Sequence, residues 1–525
     1  MITPTPDLRW YPCFDGLECA RLQVPLDWTS PSDPRTVAIA MTKIPASVPE
    51  SSPEWDGPVL LNPGGPGGSG VEFALTMGKR IQSIVGATHS VIGFDPRGIN
   101  NTTPATSCFP DDSARSVWAL RSGGRVAGYS SDGFDLAVEY ARAASLGAVC
   151  GNRIEAGSGA DFDGTPNVAR DMLAIVEASW NRLGVDGSKK GLRYWGFSYG
   201  TALGQTFATM YPDRVERLVL DGVVDMDDYY IGGWRTNLQD ADGVIESFFT
   251  YCAKTSACPL HAETLSAIKS RVTRLLEATQ EPVPVLGDKA PDWISDADIR
   301  TLFFWSLYNP IQRFPLAAAA LAALEAGDAA KVADLIHPPF SCECALDLRP
   351  NTGSEADFNI LCQDGAGNDA TLTQFAEYVK ELQQQSALIG GNWAKIQMAC
   401  TGYHSPARGL LPWRDGNLTG WNQQPWGANT SVPILFVSTK LDPVTPLRNA
   451  QKMKERFEGA GLLVQDNPGH CSLSAPSACV ARVIGRYFAE GTVGVGECAA
   501  DAEPWGVQVE AAEATWNPRI PGGVW

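Results

Sequence analysis

The chain has 525 residues, of which 44% are hydrophobic and 19% charged, a composition typical of folded globular proteins and unlike that of disordered ones. Its formal net charge is −18 and no run of five like charges occurs, which argues against a nucleic-acid-binding or anionic-membrane-binding protein. The longest strongly apolar stretch, 315–324, is shorter than the roughly 20 residues that span a bilayer. We therefore expect a globular protein without nucleic-acid or membrane partners, present as a monomer or small homo-oligomer.

The segments that follow the amino terminus alternate between strand-like and helical patterns. Two apolar runs typical of strands come first, and a short buried run, a glycine-rich turn, a helical pattern and another buried run follow them. A strand, a turn, a helix and a strand in that order predict a βαβ unit. In chain order these segments are 19–24, 37–44, 59–61, 62–70, 71–85 and 89–94.

A second alternation of helices and strands predicts a largely parallel sheet that continues near the carboxyl terminus. Thr165-Pro166 is expected to provide an N-cap and a proline at the first helical position, and Gly184 is expected to stop that helix. The further elements predicted are a strand at 192–195, a helix at 200–211, strands at 217–220, 432–437 and 461–465, and helices at 447–457 and 478–488.

Between about residues 225 and 429 this alternation fades. Helical patterns are separated there by connectors rich in proline and glycine, so we expect a mostly helical insertion in a split sheet domain. The helical patterns are 243–252, 262–279, 315–325 and 372–388. The predicted boundaries are 1–224 for the first part of the sheet domain, 225–429 for the insertion and 430–525 for the second part of the sheet domain.

The thirteen cysteines predict structural disulfides, with one thiol left over because the count is odd. A zinc site is disfavoured because Cys342-Glu-Cys344 has one residue between the cysteines and no matching second pair. We expect neither a metal nor a cofactor. The predicted pairs are Cys13–Cys19, Cys108–Cys150, Cys252–Cys258 and Cys479–Cys498, with two bridges of open connectivity among Cys342, Cys344, Cys362 and Cys400, and with Cys471 unpaired.

The cysteines favour a secreted or extracellular mature protein, since disulfides persist in oxidising compartments. Four glycosylation sequons, at Asn100, Asn101, Asn417 and Asn429, agree with that location. Residues 1–20 contain no apolar signal-peptide core, so either a signal peptide has been removed or the protein is cytoplasmic.

The pentapeptide Gly196-Phe-Ser-Tyr-Gly200 matches the G-x-S-x-G motif and lies between a predicted strand and a predicted helix. A sharp strand-to-helix turn exposes the serine hydroxyl above the sheet, and the flanking glycines let neighbouring backbone approach. The helix that follows directs its positive end toward a developing oxyanion. We therefore predict that Ser198 is a nucleophile.

A serine nucleophile needs a base, and His470 is the candidate among five histidines because it follows the last predicted sheet strand. The orienting acid should come between the serine and the histidine in the chain. Asp442 directly follows an apolar strand and meets that condition, with an Asx turn before Pro443 as the alternative role. Asp442 is expected to hold the His470 tautomer.

An oxyanion hole needs two hydrogen-bond donors. The backbone N–H of Tyr199 is one candidate, and the turn at 63–67 should supply the other, with Gly65 favoured over Gly64. A phosphate-binding loop is the competing interpretation of these glycines. Neither of its usual motifs is present, so we prefer the oxyanion hole.

Five motifs of this chain occur together in one known superfamily. They are Pro63-Gly-Gly-Pro-Gly67, Asp95-Pro-Arg-Gly98, Gly196-Phe-Ser-Tyr-Gly200, Asp442-Pro and Gly469-His470. On these motifs the chain resembles the α/β-hydrolase superfamily, and more narrowly its proline iminopeptidase and tripeptidyl aminopeptidase-like serine hydrolases. The resemblance implies a mostly parallel central sheet flanked by helices, a large helical cap inserted in that core, and a triad of Ser198, Asp442 and His470.

The resemblance also implies an exopeptidase that binds a free substrate amino terminus through acidic cap residues. Asp225, Asp228 and Glu246 are the candidates for that role, and Gly64 is expected to lie beside the substrate. The predicted substrate is a peptide or a small acyl compound. We expect the release of N-terminal residues or tripeptides through an acyl-enzyme.

Two alternatives to an exopeptidase stay open from the sequence. One is a carboxylesterase, lactonase or amidase that acts on a small metabolite, because one superfamily uses the same triad for several bonds. The other is a non-catalytic binding module on the same fold, which is disfavoured because all three triad candidates are present.

Overall fold

A computed structural model gives the fold of the chain. It describes residues 2–30, 32–121, 134–153, 159–286, 291–337, 353–365, 370–404, 409 and 426–506. The strands are β1 (Tyr11–Cys13), β2 (Leu17–Pro25), β3 (Thr36–Ile44), β4 (Pro58–Asn62), β5 (Ser90–Phe94), β6 (Leu192–Phe197), β7 (Val215–Asp221), β8 (Val283–Val285), β9 (Asp292–Ile294), β10 (Leu435–Leu441), β11 (Gly461–Pro468) and β12 (Gly496–Ala499).

The helices fall into two groups that β7 and β10 separate in the chain. Those outside this interval are α1 (Gly70–Val85), α2 (Asp112–Arg121), α3 (Phe134–Arg153), α4 (Thr165–Asn181), α5 (Tyr199–Met210), α16 (Leu447–Lys454) and α17 (Ala478–Glu490). Those inside it are α6 (Met226–Tyr230), α7 (Ala241–Ala253), α8 (Leu265–Ala278), α9 (Asp296–Leu307), α10 (Pro310–Glu325), α11 (Ala330–Ile336), α12 (Gly353–Asp364), α13 (Leu372–Gln385), α14 (Gly390–Trp393) and α15 (Lys395–Met398).

A ten-stranded sheet organises the chain, in the order β1-β2-β3-β5-β4-β6-β7-β10-β11-β12. In this order, every neighbouring pair from β5-β4 to β11-β12 is parallel. The pairs β1-β2, β2-β3 and β3-β5, at the other side of the sheet, are antiparallel. Strands β8 and β9 form a separate two-stranded antiparallel sheet. The described residues between β7 and β10 add no strand to the large sheet, which confirms the helical insertion in a mostly parallel core.

Side chains of successive residues in the central strands enter two different hydrophobic clusters. In β4, Val59 and Leu61 pack with residues of α1 and α17 on one face, whereas Leu60 packs with residues of α4 and α5 on the other. All five residues of β4 and of β5 are buried. Helices therefore cover both faces of the sheet, as a parallel sheet requires.

The parallel pairing directs the carboxyl ends of three neighbouring strands to one edge of the sheet, where β10 extends four residues beyond β7. Phe197 of β6 pairs with Asp221 of β7, and Asp221 pairs with Val437 of β10. Ligands of open α/β sheets bind outside the carboxyl ends of their strands. The residues that follow β6, β7 and β10 are therefore brought to one edge of the sheet.

The buried Arg97 explains why a charged residue occurs in the Asp95-Pro-Arg-Gly motif. Its guanidinium donates to both oxygens of the Asp171 carboxylate, at 2.6 and 2.8 Å, and to the carbonyls of Pro25 and Leu26. Arg97 thus joins the loop after β5 to α4 and to the end of β2. Asp95 accepts hydrogen bonds from the Ser69 hydroxyl and the Val71 N–H at the start of α1.

The predicted elements are present, with differences at their ends. The N-cap of α4 is Gly164, and Thr165 is its first residue, because the Thr165 hydroxyl is engaged by Tyr199 and Asp364 instead. Helix α10 begins at Pro310 and contains Pro315, which the sequence pattern had suggested as its start. Strand β10 begins at Leu435 rather than at Val432.

Five disulfides join the described cysteines. Four of them are the predicted pairs Cys13–Cys19, Cys108–Cys150, Cys252–Cys258 and Cys479–Cys498, and the fifth is Cys362–Cys400. Cys471 is buried and unpaired, as predicted. Cys342, Cys344 and the sequon at Asn417 lie outside the described residues. Among the described helices, none combines the length and the apolar character needed to cross a membrane.

We predict that Asp171→Ala is strongly destabilising, because it leaves the buried Arg97 guanidinium without its carboxylate. Removal of one partner of a buried ion pair typically costs about 3–5 kcal/mol in the free energy of unfolding. Urea denaturation followed by tryptophan fluorescence measures the loss. Glu381→Ala is the matched control, because the Arg235–Glu381 pair is about 45% exposed on both sides and such pairs contribute about 1 kcal/mol or less. A loss for Asp171→Ala no larger than that of the control would contradict the prediction.

Candidate active site

Ser198 occupies the sharp turn between β6 and α5, as predicted. Its φ is +56° and its ψ is −124°, a conformation that is strained for any residue other than glycine. The Ser198 N–H donates to the Asp221 carbonyl at 2.9 Å, and the Ser198 carbonyl accepts from the Thr201 N–H at 2.8 Å and from the Thr201 hydroxyl at 2.7 Å. These bonds hold the strained backbone in place and leave the side chain partly exposed at the sheet edge.

The two glycines of the pentapeptide are needed for close contacts. A Cβ on Gly196 would lie 2.5 Å from the Gly200 carbonyl oxygen, and one on Gly200 would lie 2.8 Å from the Asn62 carbonyl oxygen. Real Cβ atoms do not approach backbone oxygens so closely. The turn that carries Ser198 can therefore form only with glycine at both positions.

His470 and Asp442 lie together at the same edge. The His470 Nδ1 is 2.9 and 3.0 Å from the two carboxylate oxygens of Asp442. Asp442 is fully buried, and its carboxylate also accepts the N–H groups of Val444, Thr445 and Cys471 at 2.8–3.0 Å. The Asx turn considered as an alternative for Asp442 is present together with the contact to His470.

The other histidines are engaged elsewhere or exposed. The Nδ1 of His89 contacts the Gly57 carbonyl, and the Nδ1 of His261 contacts the Cys252 carbonyl. His337 contacts Asp292 and Asp298, and His404 is exposed. Among the described residues, only His470 combines a buried carboxylate with a position at this sheet edge.

The insertion contributes an unpredicted contact to His470. The His470 N–H donates to the carbonyl of Tyr308, the residue after α9, at 3.0 Å. The two rings also meet edge to face, with 5.1 Å between their centroids. Burial raises the pKa of Tyr308, so its phenol stays protonated. No sequence motif marks Tyr308, because the contact joins segments far apart in the chain.

Two backbone N–H groups near Ser198 are unoccupied. Within the described part of the chain, neither the Tyr199 N–H nor the Gly65 N–H donates a hydrogen bond. The Gly64 N–H donates to the Asn62 side-chain oxygen at 2.9 Å and is therefore occupied. Gly64 also packs against the turn, since a Cβ on it would lie 2.8 Å from the Ser198 Cβ and 3.1 Å from the Tyr199 nitrogen.

The Tyr199 side chain is anchored to the insertion. Its hydroxyl lies 2.5 Å from the Thr165 hydroxyl, which donates to the carboxylate of Asp364 at the end of α12. Asp364 also accepts the Thr165 N–H at 2.8 Å and the Tyr229 hydroxyl at 2.7 Å. Burial raises the pKa of Asp364 to about 6. The residue after Ser198 is thus connected by hydrogen bonds to a helix of the insertion.

The Ser198 hydroxyl and the His470 Nε2 are not hydrogen-bonded to each other. Among the described residues, neither atom has a hydrogen-bond partner. Such contacts are often long in ligand-free enzymes and tighten when substrate binds. The structure therefore brings His470 and Asp442 into contact and leaves Ser198 separate from that pair.

The three acidic residues predicted to bind substrate are engaged within the protein. Asp225 caps α6 and accepts the Lys452 ammonium at 2.8 and 2.9 Å. Asp228 accepts the N–H groups of Arg235 and Thr236, at 2.7 and 2.9 Å. Glu246 is half exposed and pairs with Lys269 at 2.5 Å. All three carboxylates therefore have partners within the protein, and the substrate-binding roles expected for Asp225, Asp228 and Glu246 stay predictions.

Asp357 of α12 is a carboxylate that the sequence analysis missed. It lies against the glycine-rich turn, where a Cβ on Gly67 would overlap the Asp357 Oδ1. Asp357 is 8% exposed, and no hydrogen bond or ion pair of the described residues uses its carboxylate. Burial raises the pKa of Asp357 well above its usual range. Its signal in the sequence is weak, because the strand-and-turn motifs do not extend into α12.

Cys471 completes the set of reactive side chains at this edge. Asp442, His470 and Cys471 offer metal-ligand atoms within 4.8 Å of one another. Hydrogen bonds already occupy these groups, because His470 contacts Asp442 and the Cys471 thiol donates to the Asp221 carbonyl at 3.3 Å. Burial raises the pKa of the Cys471 thiol well above its usual range, which disfavours the thiolate that binds metals.

Comparisons with known proteins agree with this geometry. The family described as "alpha/beta hydrolase fold" matches residues 57–297, and the family described as "TAP-like protein" matches residues 386–498. The chain is 28% identical over 523 residues to serine protease Hip1 of Mycobacterium tuberculosis, a match that covers 92% of this chain and 89% of that protein.

Two further relatives differ in their named activity. Tripeptidyl aminopeptidase of Streptomyces lividans is 26% identical over 505 residues, covering 93% of this chain and 84% of that protein. Carboxylesterase B of Mycobacterium tuberculosis is 26% identical over 510 residues, covering 93% of this chain and 89% of that protein. With the parallel sheet and the turn at Ser198, these matches show that the chain belongs to the α/β-hydrolase superfamily, in its tripeptidyl aminopeptidase-like family of serine hydrolases.

Proposed function

We propose that Ser198, His470 and Asp442 form the catalytic triad of this serine hydrolase. The observation that supports it most is the strained Ser198 turn at the end of β6, beside strands whose carboxyl ends carry the buried Asp442–His470 pair. Hydrogen bonds of the Ser198 N–H and of the Ser198 carbonyl hold the backbone in this strained conformation. Such strain is typical of functional sites.

In the proposed reaction, the Ser198 Oγ attacks the substrate carbonyl while the His470 Nε2 accepts the hydroxyl proton. Asp442 keeps the His470 Nδ1 protonated and stabilises the imidazolium that forms. The imidazolium then gives its proton to the leaving group, and an acyl group stays on Ser198. Water, deprotonated by His470, then attacks the acyl carbon, the bond from that carbon to the Ser198 Oγ breaks, and the imidazolium returns its proton to Oγ. The Ser198 hydroxyl must move toward His470 when substrate binds, because the two are not hydrogen-bonded in the structure.

The unoccupied N–H groups of Gly65 and Tyr199 form the proposed oxyanion hole. Tyr199 is the first residue of α5, so the positive end of that helix adds to its N–H. The contact of Gly64 with Asn62 leaves Gly65 as the donor in the turn. Donors fixed before the reaction stabilise the tetrahedral intermediate at no cost of reorganisation.

We propose residues 225–429 as a cap over this site, with 1–224 and 430–525 as the two parts of the core. Tyr308 contacts His470, and Asp357 lies on the oxyanion turn, so two separate helices of this segment reach the proposed catalytic residues. The cap is therefore in a position to select the substrate.

We propose that the protein is an exopeptidase that accepts a free amino terminus through Asp357. Gly64 of the oxyanion turn contacts Ser198, whereas Gly67, three residues later, contacts Asp357. Three residues of chain span at most about 10 Å, which is the length of a few backbone units of a bound peptide. An ammonium group would favour the ionised form of Asp357, which burial alone disfavours.

The described disulfides favour action in an oxidising compartment, outside the cytoplasm.

A fluorophosphonate probe tests the proposed nucleophile. We expect wild-type protein to be labelled on Ser198 and Ser198→Ala to remain unlabelled, because only an activated serine reacts at a useful rate. Intact-mass spectrometry and peptide mapping measure the label. Ser83→Ala is the matched control, since Ser83 is exposed on α1, and it should be labelled at the wild-type rate. Labelling of Ser198→Ala at another residue, or the absence of labelling in folded wild-type protein, would contradict the proposal.

Asp357→Asn tests the exopeptidase proposal. A hydrogen bond between charged groups contributes about 1.5–3 kcal/mol, so we expect kcat/KM for tripeptidyl amides with a free amine to fall roughly 10- to 100-fold. Hydrolysis of the same amides after N-acetylation, and of short-chain esters, should change little. Glu246→Gln is the control carboxylate and should leave all substrates unaffected.

Two results separate the exopeptidase from its alternatives. Equal losses on free and acetylated amides would assign Asp357 a general role rather than amine binding. If the protein hydrolyses esters but no tripeptidyl amides, it is a carboxylesterase rather than an exopeptidase. The similarity to carboxylesterase B supports this alternative.

A further inference from the structure

We propose that Asp221, the last residue of β7, is a positioning residue that holds the Ser198 turn and the His470 loop in register with each other. The inference rests on the proposed function, because it concerns the geometry of the proposed triad. Asp221 itself touches neither a reacting atom nor the substrate. Its effect is transmitted through two backbone segments that it joins.

The Asp221 backbone carbonyl contacts both segments. It accepts the Ser198 N–H at 2.9 Å and the Cys471 thiol at 3.3 Å. The first bond fixes the turn that carries the nucleophile, and the second reaches the residue that follows His470. One carbonyl group therefore lies between the proposed nucleophile and the proposed base.

The Asp221 carboxylate holds the histidine loop a second time. It accepts the Ser472 N–H at 2.8 Å and the Ser472 hydroxyl at 2.5 Å, and the Trp195 indole N–H lies 3.4 Å away. Ser472 is only two residues beyond His470. Trp195 is on β6, in the strand that ends at Ser198, so the carboxylate also contacts the element that supports the turn.

Two carboxylates from neighbouring strands thus hold three consecutive residues. Asp442, after β10, accepts from the His470 ring and from the Cys471 N–H, whereas Asp221, at the end of β7, accepts from Ser472. Cys471 between them has a φ of +60°, a conformation unusual for a residue with a side chain. The loop keeps this shape because both of its ends are attached.

Asp221 is an ionisable group in a buried position. The residue is fully buried, and burial raises its pKa to about 6, while the hydrogen bonds from Ser472 act in the opposite direction. A buried carboxylate is costly, and a neutral acceptor would satisfy the Ser472 N–H as well. In this structure one carboxylate oxygen accepts the N–H of Ser472 and the other accepts its hydroxyl.

Kinetics of Asp221→Asn test the proposal. We expect kcat for a short-chain ester to fall at least tenfold and KM to change less than threefold. The backbone bond to the Ser198 N–H and the substrate contacts are kept, whereas the His470 loop loses its side-chain attachment and shifts relative to Ser198. The rate of fluorophosphonate labelling should fall by the same factor as kcat. Ser472→Ala should give a similar loss, and the double variant should be no slower than the slower single variant, because both changes break one contact.

Asp298→Asn is the matched control. Asp298 is buried in α9 and, like Asp221 with Ser472, accepts both the N–H and the hydroxyl of one serine, Ser295, at 2.7 and 2.8 Å. One Asp298 oxygen accepts both groups, and the other contacts His337. We expect this variant to lower thermal stability and to keep kcat. A folded Asp221→Asn protein with kcat within twofold of wild type, or a loss matched by the control, would overturn the proposal.

If Asp221→Asn does not fold, Ser472→Ala still tests the proposal, because it removes only one hydroxyl. An unchanged kcat in Ser472→Ala would overturn the proposal as well. Wild-type protein that neither turns over esters nor reacts with the fluorophosphonate would refute the proposed function and, with it, the inference. Active wild-type protein with insensitive variants would refute the inference alone.

Discussion

The parallel register of β6, β7 and β10 is the constraint on which the candidate site depends. Parallel pairing places Phe197 beside Asp221 and Asp221 beside Val437, so the chain segments that leave these strands meet at one edge. A register shift of one residue would turn every side chain of a strand to the opposite face of the sheet. The burial of both faces forbids such a shift, because successive side chains enter two different hydrophobic clusters. Core packing therefore determines the relative positions of Ser198, Asp221 and Asp442.

Short-range patterns sufficed to predict the parts of the molecule that are local in sequence. The turn at Ser198, the glycine-rich turn and the strands of the parallel sheet all follow from periodicity and turn chemistry over a few residues. The disulfides between cysteines six residues apart belong to the same class. Asp442 and His470 could be proposed from the sequence because each lies within two residues of the end of a sheet strand, where topology determines the location of the next residues.

The parts that escaped prediction depend on contacts between distant segments. Asp357 and Asp364 lie on α12 of the insertion and Tyr308 directly follows α9, and no local pattern encodes how these helices pack on the core. The ion pairs of the acidic residues chosen from sequence, Asp225 and Glu246, were equally invisible, because their lysine partners lie elsewhere in the chain. The role of Asp221 was hidden for a related reason: its partners lie on β6 and on a loop about 250 residues later. The candidate nucleophile could be predicted from a sequence motif, whereas the contacts that position it and that face the substrate depend on the tertiary structure.

A crystal structure of the protein after reaction with a fluorophosphonate tests the central claim most directly. The account predicts a covalent bond from the Ser198 Oγ to phosphorus, with one phosphoryl oxygen about 2.7–3.1 Å from the backbone nitrogens of Gly65 and Tyr199. It also predicts that the His470 Nε2 comes within hydrogen-bond distance of the Ser198 Oγ while Asp442 keeps its contact with Nδ1. An adduct on another residue, or a phosphoryl oxygen directed away from both nitrogens, would contradict the account.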